Sequence, residues 1–266
     1  MRLFISADIE GVTGINSWSE TTKTNPDYAE FREQMTKEVL AACEGALAAG
    51  ATEIVVKDAH DSGRNLRIGD LPKEVKLIRN WSRHPYSMVW GIDESFDAIA
   101  YIAYHSPSGS KENPLAHTMS SKMIHQMTLN GEICSEFMLH SLVARSHGVP
   151  SVFLSGDEGI CKLSTKMEAK IVTVPTISGT GNATLSNNPK MTIPAIKAGL
   201  EKALKKDLKS FSLEVPDHFI LDTRYTKHPL AFRAAQYPGA KPIDAYTTRF
   251  EADTILDIMR FIMFCV

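Results

Sequence analysis

Acidic and histidine side chains follow three apolar, β-rich segments of this sequence. They are Asp8 and Glu10 after the first segment, His60 after the second and His105 after the third. Residues i and i+2 of a strand point to the same face, so the two carboxylates are expected side by side, where they repel unless a proton or a cation intervenes. Ligands of open α/β sheets bind at the carboxyl ends of the strands. The spacing therefore predicts a shared cation site.

Two further side chains are candidates for this site. Glu136 begins a predicted helix after the Asn130-Gly131 turn, although the helix dipole alone also favours an acid there. Glu132, four residues earlier, is a rival for the same role. His117 lies in a polar loop rich in turn-forming residues, which predicts either a movable segment over a site or a histidine that simply contacts solvent.

The candidate ligands mix carboxylates with imidazoles: Asp8, Glu10, His60, His105 and Glu136. That mixture suits zinc or a neighbouring divalent transition metal better than calcium or magnesium. Five ligands exceed what one tetrahedral zinc ion takes, but two metal ions that share a carboxylate would use them all. Pairs of metal ions about 3.5–4 Å apart are typical of hydrolases. The five residues would therefore suit a pair of ions of zinc or a neighbouring divalent metal.

The elements that must position these side chains alternate between strands and helices. The predicted strands are residues 3–9, 53–57, 75–78, 98–103, 151–154 and 171–174, and the predicted helices are residues 27–49, 135–147 and 157–170. Such an alternation is typical of a mostly parallel sheet covered by helices on both faces. We therefore predict an α/β fold that brings the candidate ligands to one edge of a sheet.

The last third of the chain has a different pattern. Residues 176–188 are polar, contain glycine and are predicted to form a loop. After them come a basic helix over 189–209, strands near 218–222 and 245–250, and a helix over 255–266. We therefore predict two parts, a metal-binding α/β catalytic domain over residues 1–180 and a smaller α+β region over residues 181–266.

Composition and charge exclude several classes of protein. The chain has 266 residues and a formal net charge of −2, which argues against the basic surface that nucleic-acid binding requires. No uncharged apolar run approaches the roughly 18 residues of a membrane span, and no signal peptide is recognisable. The four cysteines form no CxxC pair, which excludes a thiolate zinc site. We expect a cytoplasmic protein with neither nucleic-acid nor membrane partners.

Short motifs spread in order over about the first 160 residues resemble the D-aminopeptidase family of binuclear zinc peptidases. They are ADIEGVTGI, VKDAHDS, AYHS, AHTM, CSEF and SGDEG. In AHTM, His117 matches the histidine proposed to be catalytic in the family, which implies a nucleophilic role. Because a metal hydroxide is already a strong nucleophile, a role as proton donor or oxyanion stabiliser is an equal alternative. In CSEF, Ser135 replaces the glycine of the family pattern, which weakens the preference for Glu136 over Glu132 without removing it.

The family's metal ligands carry over to this sequence residue by residue. The resemblance implies that Asp8 is a carboxylate shared by both zinc ions. It implies that Glu10 and His60 complete one zinc site and that His105 and Glu136 complete the other. Asp58 and Asp61 are candidates for orienting the ligating histidines.

The resemblance implies a zinc-dependent aminopeptidase that hydrolyses short peptides with an N-terminal D-amino acid, such as D-alanyl peptides. It also implies a homo-oligomer, which in the family is a ring-shaped decamer. Two alternatives remain open. One is a metal-dependent amidase or L-peptidase on the same site, and the other is a non-catalytic zinc-binding protein. Paired D and L substrates test the first alternative, and the presence or absence of turnover tests the second.

Overall fold

Thirteen strands and six α-helices make up the chain, and the computed structural model describes all residues 1–266. The strands are β1 (Arg2–Ala7), β2 (Glu53–Asp58), β3 (Val75–Ile78), β4 (Ala98–Tyr104), β5 (Ile124–Leu129), β6 (Glu132–Ile133), β7 (Ser151–Gly156), β8 (Val172–Pro175), β9 (Ile177–Thr180), β10 (Ala183–Ser186), β11 (Phe219–Tyr225), β12 (Lys241–Pro242) and β13 (Thr247–Ala252). The helices are α1 (Tyr28–Ala48), α2 (Glu136–Ser146), α3 (Glu158–Met167), α4 (Pro189–Leu204), α5 (His228–Ala234) and α6 (Ile255–Cys265).

The main sheet has six parallel strands in the order β3-β2-β1-β4-β7-β8. Helices α1 and α4 pack together on one face, and α2 and α3 pack on the other. Alternate residues of β1 serve the two faces, since Leu3 and Ile5 join the core under α1 and α4 while Phe4 joins the core under α2. The predicted α/β fold with a covered, mostly parallel sheet is confirmed.

A second sheet has five antiparallel strands in the order β12-β13-β11-β5-β6. Its β5–β6 hairpin turns at Asn130 and Gly131, whose φ angles of 51° and 84° are those a tight two-residue turn demands. The sheet combines strands from before and after residue 180, while α4 packs on the main sheet. The division at residue 180 stays a prediction. None of the helices combines the length and the apolar character needed to cross a membrane.

The prediction that residues 176–188 form a loop is wrong. Strands β9 and β10 pair there as an antiparallel hairpin around Gly181, whose φ is 59°. The hairpin leans on the segment that follows β1: the Asn16 side-chain amide donates to the Asn182 carbonyl at 2.9 Å, and the Thr184 hydroxyl donates to the Ile15 carbonyl at 3.2 Å. Contacts distant in sequence therefore stabilise strands that local composition disfavours.

The candidate site lies where the strand order reverses. From β1 the chain proceeds outward to β2 and β3, and then returns to the other side of β1 with β4. Such a reversal opens a crevice at the carboxyl ends of the strands. The segment after β1 is fixed to β4, because the amides of Asp8 and Gly11 donate to the Ile102 and Ala103 carbonyls, each at 2.9 Å. This pairing sets the position of the first two candidate ligands.

Replacing Gly11 by alanine is expected to destabilise the crevice. An added Cβ would lie 2.0 Å from the Tyr104 carbonyl oxygen, and backbone cannot move aside as a flexible side chain can. We expect the free energy of unfolding to fall by about 1–3 kcal/mol, as for overpacked cores. Urea unfolding measures it. Gly69→Ala is the matched control, because no atom lies within 4 Å of a Cβ there; equal stability of both variants would contradict the account.

Candidate metal centre

Five buried side chains converge at the carboxyl edge of the main sheet. Asp8 and Glu10 follow β1, His60 follows β2, His105 follows β4, and Glu136 is the first residue of α2. The strand register brings the first four together, since β1 pairs with β2 on one side and with β4 on the other. Ser135 caps α2 by accepting from the Met138 amide at 3.0 Å, which fixes the helix start that carries Glu136.

The first group consists of Asp8, Glu10 and His60. Nδ1 of His60 lies 3.0 Å from Oε2 of Glu10 and 3.4 Å from Oδ1 of Asp8. The other ring nitrogen, Nε2, lies 2.9 Å from the Thr21 carbonyl oxygen, to which it can only donate. In a neutral ring, that bond leaves the lone pair of Nδ1 facing the two carboxylates, as a metal ligand requires.

The second group consists of Asp8, His105 and Glu136. Nε2 of His105 lies 3.5 Å from Oδ2 of Asp8 and 3.4 Å from Oε2 of Glu136. Nδ1 of the same ring donates to the Ser106 carbonyl at 2.9 Å, so Nε2 carries the free lone pair of a neutral ring. Asp8 thus presents Oδ1 to one group and Oδ2 to the other, which is the arrangement of a bridging carboxylate.

His117 lies over the second group. Its ring stacks on that of His105, with centroids 4.2 Å apart and an angle of 10° between planes. Nε2 of His117 lies 3.6 Å from Oε1 of Glu136, within reach of a metal held by the second group, and Nδ1 donates to the Leu115 carbonyl at 2.9 Å. The rings of Trp18 and His117 pack edge to face, with centroids 5.3 Å apart. The loop histidine therefore contacts the site and has a defined tautomer.

The charges of the site are strongly coupled. Burial and the neighbouring Glu10 raise the pKa of Asp8 well above its usual value. Burial also opposes ionisation of Glu10 and Glu136, but His60 holds the pKa of Glu10 well below its usual value and His105 lowers that of Glu136 to about 2. Burial likewise opposes protonation of His60 and His105, but the carboxylates of Glu10 and Glu136 raise the pKa of these two rings well above its usual value. Protons on the two histidines therefore compensate the charges of Glu10 and Glu136, while Asp8 keeps its own proton, and divalent cations could take the place of these three protons.

Two buried atoms show how well a metal would fit. Oε2 of Glu10 and Nε2 of His105 are buried, and neither has a hydrogen bond of acceptable geometry. Seven buried side-chain atoms in the chain lack a hydrogen-bond partner, and these two are the ones that belong to the proposed ligands; an ion or water often completes such atoms. Oε2 of Glu10 faces His60 in the first group, and Nε2 of His105 faces Asp8 and Glu136 in the second. Carboxylates and imidazoles together are a donor set that zinc accepts. The residues present therefore fit a pair of divalent transition-metal ions.

Other sequence candidates lie outside this centre. Glu132 is exposed and pairs with Lys166 at 2.9 Å, which leaves Glu136 as the acid in the site. The expectation that Asp58 orients a ligating histidine ring is wrong, because its carboxylate accepts from the amides of Asn65 and Leu66, at 2.5 and 2.7 Å. Main-chain carbonyls orient both rings instead. Asp61 contributes only its carbonyl oxygen, to the indole of a tryptophan.

A cavity of about 590 Å³ opens from the metal centre, and most of the residues that line it were not predicted from the sequence. Apolar walls come from Trp18, Trp81 and five methionines, Met88, Met119, Met123, Met259 and Met263. Their residue types and spacing form no pattern that predicts a cavity wall. The carbonyl of Thr21 follows a capping box formed by Ser17 and Glu20, and that S-x-x-E spacing is visible in the sequence.

The comparisons with known proteins agree with this geometry. The sequence model of peptidase family M55, described as D-aminopeptidase, matches residues 1–264. A D-aminopeptidase of Bacillus subtilis (strain 168) is 27% identical over 264 residues, which are 97% of this chain and 93% of that protein.

A solved structure shares the fold at a TM-score of 0.93 and 24% identity, covering 100% of this chain and 96% of that one. It is the Zn-dependent D-aminopeptidase DppA from Bacillus subtilis, described as a self-compartmentalizing protease. The match of the family model extends from before the first strand to the last helix of the fold. The chain therefore belongs to the D-aminopeptidase family of peptidases, M55, and is a peptide-bond hydrolase.

Proposed function

We propose that this peptidase is a zinc-dependent aminopeptidase that removes an N-terminal D-amino acid from short peptides, using two zinc ions. The observation that carries the proposal is the position of Asp8, whose two oxygens face two separate groups of ligands. Asp8, Glu10 and His60 would hold one zinc ion, and Asp8, His105 and Glu136 the other. Each ion would then have three protein ligands and room for substrate, as catalytic zinc sites do.

Two zinc ions would also compensate the negative charge of the buried carboxylates. The three carboxylates carry −3 when the histidines are neutral, and two ions add +4, which leaves a net +1. When bound, zinc supplies Lewis-acid chemistry: it polarises a carbonyl group and lowers the pKa of water. The protein contributes a buried pocket that removes bulk water from these charges and so strengthens their interaction.

We assign His117 the proton transfers of the reaction. Burial and the adjacent His105 lower the pKa of His117, so its ring is neutral near neutral pH. Because Nδ1 donates to the Leu115 carbonyl, the free lone pair is at Nε2, which points toward Glu136. Nε2 can accept a proton from the water molecule that attacks the peptide bond and then transfer that proton to the departing amine. This role is an alternative to a nucleophilic role, because one lone pair on Nε2 cannot both accept the proton and attack the carbonyl carbon.

Short peptides fit the cavity better than folded chains do. Its volume of about 590 Å³ lies within the roughly 300–1,000 Å³ typical of small-ligand pockets. The preference for a D-residue is supported by the relatives named above, both of which are described as D-aminopeptidases. D-alanyl dipeptides are therefore the first substrates to test.

Paired D- and L-alanyl dipeptides and amides test this proposal directly. We expect hydrolysis of the D-dipeptide, a much lower kcat/KM for the L-dipeptide, and loss of activity after chelation with recovery on adding zinc. Preferential hydrolysis of the L-dipeptide or of the amide would favour an L-peptidase or an amidase. Bound zinc without turnover of any substrate would identify a non-catalytic zinc-binding protein.

We also propose a cytoplasmic homo-oligomer. All four cysteines are buried and unpaired, which suits a reducing compartment. The solved relative is described as self-compartmentalizing, and exposed apolar side chains on this chain, among them Phe232 and Phe264, are available for subunit contacts. The ring-shaped decamer of the family remains a prediction, which sedimentation analysis would test.

A further inference from the structure

Asp157 lies just behind the metal centre and contacts neither the cavity nor any proposed ligand side chain. It is fully buried at the start of α3, where Oδ1 accepts from the Ile160 amide at 2.9 Å and caps the helix. A cap needs only this one bond, but the carboxylate accepts three more. These come from the Ser106 amide at 2.6 Å, the Ser106 hydroxyl at 2.5 Å and the Asn113 side-chain amide at 3.0 Å.

Ser106 connects Asp157 to both histidines of the second group. The Ser106 carbonyl accepts from Nδ1 of His105 at 2.9 Å and from the main-chain amide of His117 at 3.3 Å. The amide and hydroxyl on the same residue are fixed by Asp157, so the carbonyl has little freedom to turn. The orientation of the His105 ring and the height of the His117 loop therefore depend on the position of one carboxylate.

Asn113 connects Asp157 to the first group and to the same loop. Its side-chain amide donates to the Glu10 carbonyl at 3.0 Å as well as to Asp157. Its side-chain oxygen accepts from the Leu115 amide at 2.8 Å, and the Leu115 carbonyl fixes Nδ1 of His117. One carboxylate thus reaches the main chain of a proposed ligand in the segment after β1 and, by a second path, the loop histidine.

The first turn of α3 packs closely against Ser106. A Cβ on Gly159, in the first turn of α3, would lie 2.4 Å from the Ser106 hydroxyl oxygen. Only glycine lets the helix start approach Ser106 so closely. Because the four hydrogen bonds use all the lone-pair sites of the Asp157 carboxylate, removing a donor at either arm leaves a buried carboxylate oxygen one hydrogen bond short.

We propose that Asp157, with Ser106 and Asn113, forms a clamp that positions His105, His117 and the Glu10 segment for the reaction. Asp157 is a positioning residue, since it touches neither substrate nor metal. The inference rests on the proposed zinc peptidase function. Partners that hold metal ligands from behind commonly change metal affinity or activity by about 10–100-fold when they are removed.

Asp157→Ser separates the clamp from the helix cap. Serine is also a good N-cap and can keep the Ile160 bond, but its side chain is too short to hold Ser106 and Asn113 as well. With D-alanyl dipeptide and saturating zinc, we expect kcat to fall at least about tenfold while KM changes much less. Chelator competition should show weaker zinc retention. A kcat within about twofold of the wild-type value would overturn the proposal.

Asn113→Ala and Ser106→Ala keep the proposal testable if Asp157→Ser does not fold. Asn113→Ala removes one arm of the clamp, whereas Ser106→Ala removes the hydroxyl bond of the other arm and keeps its amide bond. Both variants leave Asp157 to cap α3. A fall in kcat of about tenfold in the Asn113 variant, measured at a temperature well below its unfolding midpoint, supports the clamp. Wild-type kcat in both variants overturns it.

The control is Asn188→Ala, which removes the N-cap of α4, a bond of 2.9 Å to the Lys190 amide. Its kcat should stay at the wild-type value, and an equal fall in kcat there would overturn the proposal by showing a general effect of losing a cap. A wild-type protein that neither binds zinc nor hydrolyses peptides contradicts the proposed function. An active wild type with unaffected variants contradicts the clamp alone.

Discussion

Replacing His117 by alanine is expected to leave two zinc ions bound per chain and to lower kcat by about 10²–10⁴-fold, the usual contribution of a positioned acid or base. Metal is retained because Asp8 and Glu136, with His105, supply the second group without the loop histidine. Turnover falls because Nε2 of His117 is the unprotonated nitrogen that faces Glu136 from above the second group. Metal analysis and steady-state kinetics with D-alanyl dipeptide measure the two effects.

His125→Ala is the matched control, because His125 is an exposed histidine on β5. It should retain wild-type kcat and zinc content. His60→Ala provides the opposite reference, since it removes a proposed ligand and should lose metal. If His117→Ala lost as much zinc as His60→Ala, His117 would be a ligand, as its position beside His105 and Glu136 also permits.

Asp8→Ala is expected to have the largest effect of any single substitution, because Asp8 is the one residue that faces both groups. Both zinc ions should bind far more weakly. Partners that only support metal ligands cost about 10–100-fold when removed, so loss of the shared ligand should cost more than 100-fold in kcat/KM. Zinc titration followed by an assay at saturating zinc separates weak binding from lost chemistry.

Asp217→Ala is the control for this substitution, because Asp217 is an exposed aspartate that is distant in sequence from all five proposed ligands. Glu10→Ala tests the assignment of the two groups, since it should weaken one zinc site and leave the other. Retention of two tightly bound zinc ions by Asp8→Ala would contradict the bridging role.

The convergence of the proposed ligands was more predictable from the sequence than the residues that surround them. Asp8, Glu10, His60 and His105 follow strands, and parallel pairing must bring the ends of neighbouring strands together. Alternation of strands and helices was enough to predict that sheet. The sequence favoured Glu136 over Glu132 only weakly, and the structure separates them because Glu132 lies on β6 while Glu136 begins α2.

The groups that orient the ligands could not be predicted. The rings of both histidines proposed as ligands donate to main-chain carbonyls, those of Thr21 and Ser106, and a carbonyl leaves no signature in residue type. The β9–β10 hairpin was missed for a related reason, since its partners follow β1 and lie more than 160 residues away, as in the Asn16 contact with Asn182. Local propensity cannot report contacts of that range.

The central claim is a two-zinc centre bridged by Asp8, and a crystal structure with anomalous scattering at the zinc edge tests it most directly. The account predicts two zinc peaks per chain about 3.5–4 Å apart. It also predicts one Asp8 oxygen about 2.0–2.2 Å from each peak, with Nε2 of His117 outside bonding distance of either. A single peak, or a second zinc ion held by His105, His117 and Glu136 without Asp8, would contradict it.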